Sequence, residues 1–280
     1  MTDFFNQRFG RRSVLAGGAA LIALPLLGTR MALAASVADV KKKGTVTIGI
    51  QGDNQPWGFV NSSGVQDGYD ADVGALFGKE LGVKVEFVPL AVANRIPALV
   101  TGKVDVLFAT MSMTAERAKS IQYSKPYAAN DIILAAAKTT KITSAADLAG
   151  MSIGVPRSSA QDTAVTKVAP TANILRFDDD AATIQALVSG QVQAVGGNQF
   201  YPLRLNAATK PDTYERKLTF FTTYNGAGSR LGEKDWNEML NAFIDKIKSN
   251  GDLEKIYQKW MGASVPKFPD SIEGIPYTVQ

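Results

Sequence analysis

The residues best suited to chemistry cluster after an apolar run at 104–109: Thr110-Met111-Ser112-Met113-Thr114-Ala115-Glu116-Arg117. Two hydroxyls, a Thr114 placed to cap a helix start and an arginine three residues on suit a carboxylate. Backbone N–H groups at a helix start attract anions, and a guanidinium is a planar two-point donor. Arg117 is equally consistent with a solvated helix arginine. Ser158-Ser159-Ala160-Gln161 opens a later helix and reads either as a second anion rim or as a plain N-cap. Trp57, beside Pro56, is expected to stack on a ligand, the alternative being a shield for a cleft. The absences narrow the chemistry further. With no Cys and no His, thiolate nucleophiles, disulfides, an imidazole base, a Ser-His-Asp triad and His-ligated metals are excluded. Carboxylate, Lys or Tyr chemistry remains, or no covalent chemistry at all. Asp178-Asp179-Asp180 loosely suggests a cation site but reads as a solvated loop capping the next helix. Neither a metal nor a cofactor is expected, and no residue is assigned a catalytic role. Trp236, Trp260, Met111 and Met113 read as packing residues.

These residues need elements to position them. The chain has 280 residues, 45% of them hydrophobic and 20% charged, which is enough apolar material for folded cores. From residue 45 onward, short β runs alternate with helical stretches. Strands are predicted over 45–51, 83–88 and 104–109, and helices over 72–81 and 94–101, stopped by Gly82 and Gly102. The pattern then restarts. A short helix over 144–148 carries Ser144 and Asp147 as a cap pair. Strands follow at 152–155, 174–177 and 192–195, with helices at 161–168 and around 184–189. Ile96, Ala98, Leu99, Val100, Gly102 and Val104 recur at a constant offset as Ile184, Ala186, Leu187, Val188, Gly190 and Val192. Ile48-Gly49 restarts as Ile153-Gly154. A strand at 226–231, a strongly periodic helix over 235–249, a second helix over 253–260 and a Pro-bearing tail complete the chain. The expected fold class is α/β, with two lobes, each a mainly parallel sheet flanked by helices. Lobe 1 is discontinuous, 44–131 and 225–262; lobe 2 is 132–224; the tail is 263–280. The chain then crosses between lobes twice, near 130–132 and 222–224, a two-strand hinge over a cleft. Ligands of open α/β sheets sit beyond the carboxyl ends of the strands. The offset places Thr110 opposite Asn198, each just past its strand.

Residues 1–34 read as an export signal. Arg8, Arg11 and Arg12 precede an apolar run at 14–27, and Ala32-Leu33-Ala34 supplies the small-residue end. Gly10-Arg11-Arg12-Ser13-Val14-Leu15 resembles a twin-arginine signal. Cleavage near Ala34 would deliver the protein to the periplasm. The whole chain has a net charge of +4. The leader holds four Arg and Asp3, so the remainder carries 26 basic and 25 acidic residues, a net of +1. That balance gives no basis for nucleic-acid binding.

Gly68-Tyr69-Asp70-Ala71-Asp72, Glu80-Leu81-Gly82-Val83, Ile96-Pro97-Ala98-Leu99 with Gly102-Lys103-Val104-Asp105, and Thr114-Ala115-Glu116-Arg117-Ala118 occur in order. Tyr123-Ser124-Lys125-Pro126-Tyr127 and Ile256-Tyr257 with Lys259-Trp260-Met261-Gly262 follow. Together, over about 44–262, they resemble the polar amino-acid-binding family (family 3) of periplasmic solute-binding proteins that serve ATP-driven importers. The resemblance implies a monomeric binding component that captures a small solute between closing lobes and delivers it to a membrane permease. It puts the α-carboxylate clamp on Arg117, with Thr110, Ser112 and the backbone near Ser159 assisting. The family's ammonium-binding acid falls on Asn198, the acid at the end of the first strand on Gln51, and an aromatic pair on Asn54 and Val92. The carboxylate side is thus intact and the ammonium side has lost its charges. Burying an ammonium without a counter-charge costs several kcal/mol, against roughly 8 kcal/mol for a whole micromolar affinity. Either Asp53, the remaining acid of the first cleft loop, takes over, or the solute lacks a free primary ammonium. The expected solute is an atypical or N-substituted amino acid, or an oxo acid. Two other readings share the fold: a cyclohexadienyl-type dehydratase, with Asp53 as its acid, and a binder that signals to a membrane receptor.

Overall fold

The computed structural model describes residues 35–279. The leader, its twin-arginine-like segment and the expected cleavage near Ala34 lie outside the described residues. Among those described, no helix is long and apolar enough to cross a membrane.

Ser36 and Asp39 form a capping box that starts helix α1 (Val37–Lys43). Strand β1 (Thr45–Ile50) follows. Next comes a small antiparallel sheet of β2 (Asp53–Asn54), β3 (Gly58–Val60) and β4 (Gln66–Asp67). Helix α2 (Tyr69–Leu81) begins three residues before the expected start. Gly68 sets that start: at φ 116 its backbone passes so close to Trp57 that a Cβ would sit 2.6 Å from the Trp57 carbonyl oxygen. The first two helical N–H groups then bond to Pro56 and Trp57 carbonyls at 2.9 and 2.8 Å. Then come β5 (Lys84–Pro89), α3 (Arg95–Val100), β6 (Val106–Leu107), the short α4 (Ala115–Ala118) and β7 (Ile121–Ala137). The second series is β8 (Ser152–Pro156), α5 (Ala160–Val168), β9 (Asn173–Phe177), α6 (Asp180–Val188), β10 (Ala194–Asn198) and α7 (Tyr201–Ala208). Strand β11 (Tyr214–Arg230), α8 (Lys234–Ser249) and α9 (Asp252–Met261) close the chain. The turn at Ala145–Leu148 carries the expected Ser144–Asp147 capping box.

The main sheet has eight strands in the order β5-β1-β6-β11-β7-β10-β8-β9. It is two copies of one plan. In the first half β5, β1 and β6 run parallel and β11 runs antiparallel to β6. In the second, β9, β8 and β10 run parallel and β7 runs antiparallel to β10. The offset read in the sequence holds atom for atom. Gly102 N and Val104 N donate to Leu99 and Ala98 carbonyls at 3.0 and 3.2 Å; Gly190 N and Val192 N donate to Leu187 and Ala186 at 3.1 and 3.2 Å. Gly102 and Gly190 sit at φ 74 and 76, a left-handed conformation that strains any residue bearing a side chain.

Each half has its own apolar core. In the first, α2, α8 and α9 bring Phe77, Phe243, Trp236 and Tyr257 against Phe108 and Tyr127. In the second, Ile133 and Ala135 of β7 face Val195, Leu187 and Tyr201, while Leu134 and Ala136 face Ile153, Val155 and Val165 on the opposite side. That alternation is the strand's period of two. Met111, Met113 and Trp236 are buried in packing roles, and Trp260 packs partly buried against the first core. The halves meet through β7 and β11, where Asn130, Asp131 and Ile132 pair with Thr223, Thr222 and Phe221. Register shifts at Thr219/Phe221 and Asn225/Gly226 bracket this crossing. The tail lacks helix and strand but is tied down: Asn237 and Asn241 both donate to the Tyr277 carbonyl.

Candidate functional site

The ends of β1, β6 and β8 and the starts of α3, α5 and α6 converge between the halves on one buried polar space. The free volume there is about 10 Å³, near the least that holds a single water. The structure is therefore a shut form, in which site residues of the two halves touch.

Two guanidiniums line one wall. Arg117 Nη1 donates to the Ser112 carbonyl at 3.0 Å, and Nη2 crosses to the Ser158 carbonyl of the other half at 2.9 Å. Thr114 caps α4, its Oγ1 accepting from Arg117 N at 3.2 Å. Arg95, at the start of α3 and only 4% exposed, is the second. Its Nε donates to the Val92 carbonyl and its Nη1 to the Ala109 and Thr110 carbonyls. Burial and then the neighbouring Arg117 push its pKa down to about 9, so it remains charged at neutral pH. Sequence reasoning missed Arg95, because nothing in Asn94-Arg95-Ile96 distinguishes a buried guanidinium from a solvated one.

Ser112 and Ser159 line the same wall. The N-cap reading of Ser159 holds, since its Oγ accepts from Asp162 N at 2.9 Å at the start of α5. Thr110 departs from expectation. It sits at φ 50, and its N and Oγ1 both donate to Asp70 Oδ2, at 2.7 and 3.0 Å. Asp70 also accepts from Tyr127 OH at 2.7 Å, and burial raises its pKa to about 6. Both Thr110 donors are thereby engaged, so the hydroxyl turns lone pairs, not a proton, to any partner.

The facing wall corrects more of the sequence reading. Asn198 is fully buried, but its Nδ2 donates to Asn54 Oδ1 at 2.9 Å and its Oδ1 accepts from Phe200 N. It stands behind the cavity rather than in its lining. Asp53 is likewise occupied: its Oδ2 accepts from Ala181 N at 2.9 Å, at the start of α6, and it does not line the space. Burial and then the nearby Asp180 raise the Asp53 pKa to about 6. Arg204 reaches across from α7 to the Asp53 carbonyl at 2.6 Å and to Asn54 Oδ1 at 3.2 Å. Trp57 is not a stacking platform. It is 0% exposed, its ring held edge-on by Tyr69 and Phe200 at centroid distances of 5.5 and 6.1 Å. Gln51 and Asn54 do line the cavity, linked to each other at 3.1 Å.

The acid on the cavity wall is Asp180, which the sequence reading placed in a solvated loop. Asp179 does cap α6, accepting from Ala182 N at 2.7 Å. Asp180, one residue on, is 1% exposed. Its Oδ2 accepts from Gln51 Nε2 at 2.9 Å and its Oδ1 from Tyr201 OH at 2.6 Å. The internal repeat held the signal that could have found it: at the constant offset Asp180 is the counterpart of Val92, another lining residue.

Two α/β halves joined by a strand pair over a polar cleft define the two-lobed binding-protein architecture. Residues 46–263 match the bacterial extracellular solute-binding proteins, family 3, and the chain belongs to that family. The glutamine-binding protein of Geobacillus stearothermophilus is 34% identical over 208 residues, 72% of this chain and 78% of that one. An ancestral arginine-binding protein bound to glutamine superimposes with a TM-score of 0.74 at 33% identity, over 79% of this chain and 99% of its own. An ancestral amino-acid-binding protein described as a precursor of cyclohexadienyl dehydratase gives a TM-score of 0.74 at 29% identity, over 80% and 98%.

Proposed function

We propose that this protein is the periplasmic receptor of an ATP-driven importer and captures a small carboxylate-bearing, amino-acid-like solute between two closing lobes. The lobes are 44–131 with 225–262, and 132–224. The observation that carries the reading is the charge of the cavity wall: two guanidiniums, Arg95 and Arg117, against one carboxylate, Asp180. Such a wall attracts an anion. Arg117 already bridges the halves to the Ser158 carbonyl, so an entering carboxylate takes over a contact that closure has aligned.

Closure has to supply the signal. Moving a two-state equilibrium from 1:99 to 99:1 takes about 5.5 kcal/mol of differential binding. One charge-assisted contact contributes about 1.5–3 kcal/mol. Contacts between the halves that lie outside the cavity lining, Asp53–Ala181 N and Arg204–Asp53, need not be displaced by a solute and add to the closed form. A membrane partner that reads the closed shape would then distinguish loaded from empty receptor.

Calorimetry with the twenty common L-amino acids and their 2-oxo acids tests the reading. Micromolar or tighter binding of a carboxylate that Arg117→Ala loses is expected; binding that Arg117→Ala retains would contradict it. For the dehydratase alternative, the wall's one acid, Asp180, already accepts a bond on each oxygen. Incubation with arogenate or prephenate and a product assay separates the two.

A further inference from the structure

Arg117 rides on a helix that cannot hold itself in place. Helix α4 is four residues long, and none of them is buried. A single turn closes too few hydrogen bonds to offset the cost of ordering it, so its position depends on what it packs against. Thr114 caps its start. Behind it stands the tail that follows α9.

Ala118 of α4 packs partly buried into a cluster to which the tail contributes Ile272, Ile275 and Tyr277. Ile275 is 4% exposed and shares that cluster with Met111 and Met113, the residues on either side of Ser112. Gly274 sits at φ 72, and a Cβ there would lie 3.2 Å from the Ala115 Cβ. The tail backbone thus runs directly against the start of α4. It is fastened at that place, because Gln122 Nε2 donates to the Pro276 carbonyl at 2.8 Å and Val279 N to Asn237 Oδ1 at 3.1 Å.

The Ser112 carbonyl is where this packing reaches the guanidinium. It accepts from Arg117 Nη1 at 3.0 Å and from Tyr123 OH at 2.8 Å, and Tyr123 belongs to the same cluster as Ile275. The tail therefore backs both the helix that carries Arg117 and the carbonyl that orients its side chain. Residues 264–280 lie beyond the segment matched to the family. Precise support matters here, since a planar fork grips a carboxylate at two points only when it is held in the right plane.

We propose that the tail is a positioning element for anion capture: Gly274 and Ile275 fix α4 and the Ser112 carbonyl, and so aim Arg117 into the cavity. The proposal rests on the carboxylate reading above and extends it to a segment that touches no solute.

Ile275→Ala in the full chain removes the buried anchor. Leu253→Ala is its control, because Leu253 is 1% exposed in the other core of the same half and loses stability away from the Arg117 wall. Nitrogen–proton NMR of the Arg117 guanidinium, assigned by its absence from Arg117→Lys, reads the positioning without any solute. Both Nη groups donate to carbonyls, so their signals should be resolved and slow to exchange in wild type and Leu253→Ala. In Ile275→Ala they should broaden or vanish. Calorimetric affinity for the twenty common L-amino acids and their 2-oxo acids should fall about tenfold in Ile275→Ala, and by less than about twofold in Leu253→Ala. Should Ile275→Ala fail to fold, Gly274→Val is read the same way, since it deletes no buried group and presses on Ala115. An unchanged guanidinium signal in the tail variant overturns the positioning role and leaves the carboxylate reading standing. So does a lost signal with unchanged affinity, or an equal affinity loss in Leu253→Ala. A wild-type protein that binds no member of the panel overturns the carboxylate reading, while the guanidinium signal still decides whether the tail holds Arg117.

Discussion

Gln51 Nε2 and Asp180 Oδ2, 129 positions apart in the chain, meet at 2.9 Å across the shut cleft. Gln51 follows β1 of one half and Asp180 begins α6 of the other, so this bond exists only when the halves are together. It also occupies the cavity, and a solute has to displace it. Gln51→Ala should open the solute-free protein, read as a larger radius of gyration in small-angle scattering. Solute affinity should change by no more than about a hundredfold, since one hydrogen bond to a carboxylate contributes about 1.5–3 kcal/mol. A variant that stays as compact as wild type without solute would show that this bond does not help hold the cleft shut.

Asp53 makes folding stability respond to acid. Its carboxyl pKa is about 6 in the folded protein, against an ordinary value of 3.8, because burial and Asp180 oppose its charge. A raised carboxyl binds its proton more tightly when folded. Its contribution is complete below about 3.8 and is lost as pH rises through about 6. The melting temperature of wild type minus that of Asp53→Asn should therefore rise between pH 7 and pH 5. Asp70 is raised to about 6 as well, but it is common to both proteins and cancels. A difference that is flat or falls with acid would contradict the assignment.

Gly197→Ala should damage stability and binding together. A Cβ at 197 would sit 2.2–2.5 Å from three ring atoms of Tyr201, whose hydroxyl holds Asp180. The ring has to shift, at a cost of about 1–3 kcal/mol for overpacking, visible as a lower urea midpoint. The same shift loosens Asp180, so solute affinity should fall in calorimetry. Normal stability would count against the packing, and normal affinity against the link from Tyr201 to the site.

Trp57→Phe separates core from cleft. Because the indole is buried between Tyr69 and Phe200, the substitution should lower stability by about 1–3 kcal/mol. Solute affinity measured by calorimetry should move by less than about threefold, which is under 1 kcal/mol. A large affinity loss with little stability loss would return Trp57 to the binding site.

Local physics made the helices legible. The apolar faces of Lys234–Ser249 and Asp252–Met261, the glycine stops at 82 and 102, and the Ser144–Asp147 cap are decided within one or two turns. Strands β7 and β11 were largely missed, because buried Gln122, Ser124 and Asn130 in the first and Thr223, Asn225 and Ser229 in the second break the apolar alternation that marks a strand. The two-residue strands β2 and β4 are too short to show any period. At the site, Arg117 and Gln51 were readable because a motif or a strand end locates them. Asp180 and Trp57 were misjudged in opposite directions, one thought solvated and one thought ligand-facing, since burial at those positions comes from contacts with distant segments.

Asn130 and Thr223 pair where β7 and β11 cross between the halves. Two strands laced together by their own backbone hydrogen bonds bend across the ribbon far more easily than they slide along it. The molecule is thus built like a book with a single spine, whose covers swing about one axis and resist being slid or wrung past each other. Whatever grips the outer edges of both covers feels one variable, how far the book is open, whichever guest lies between the pages.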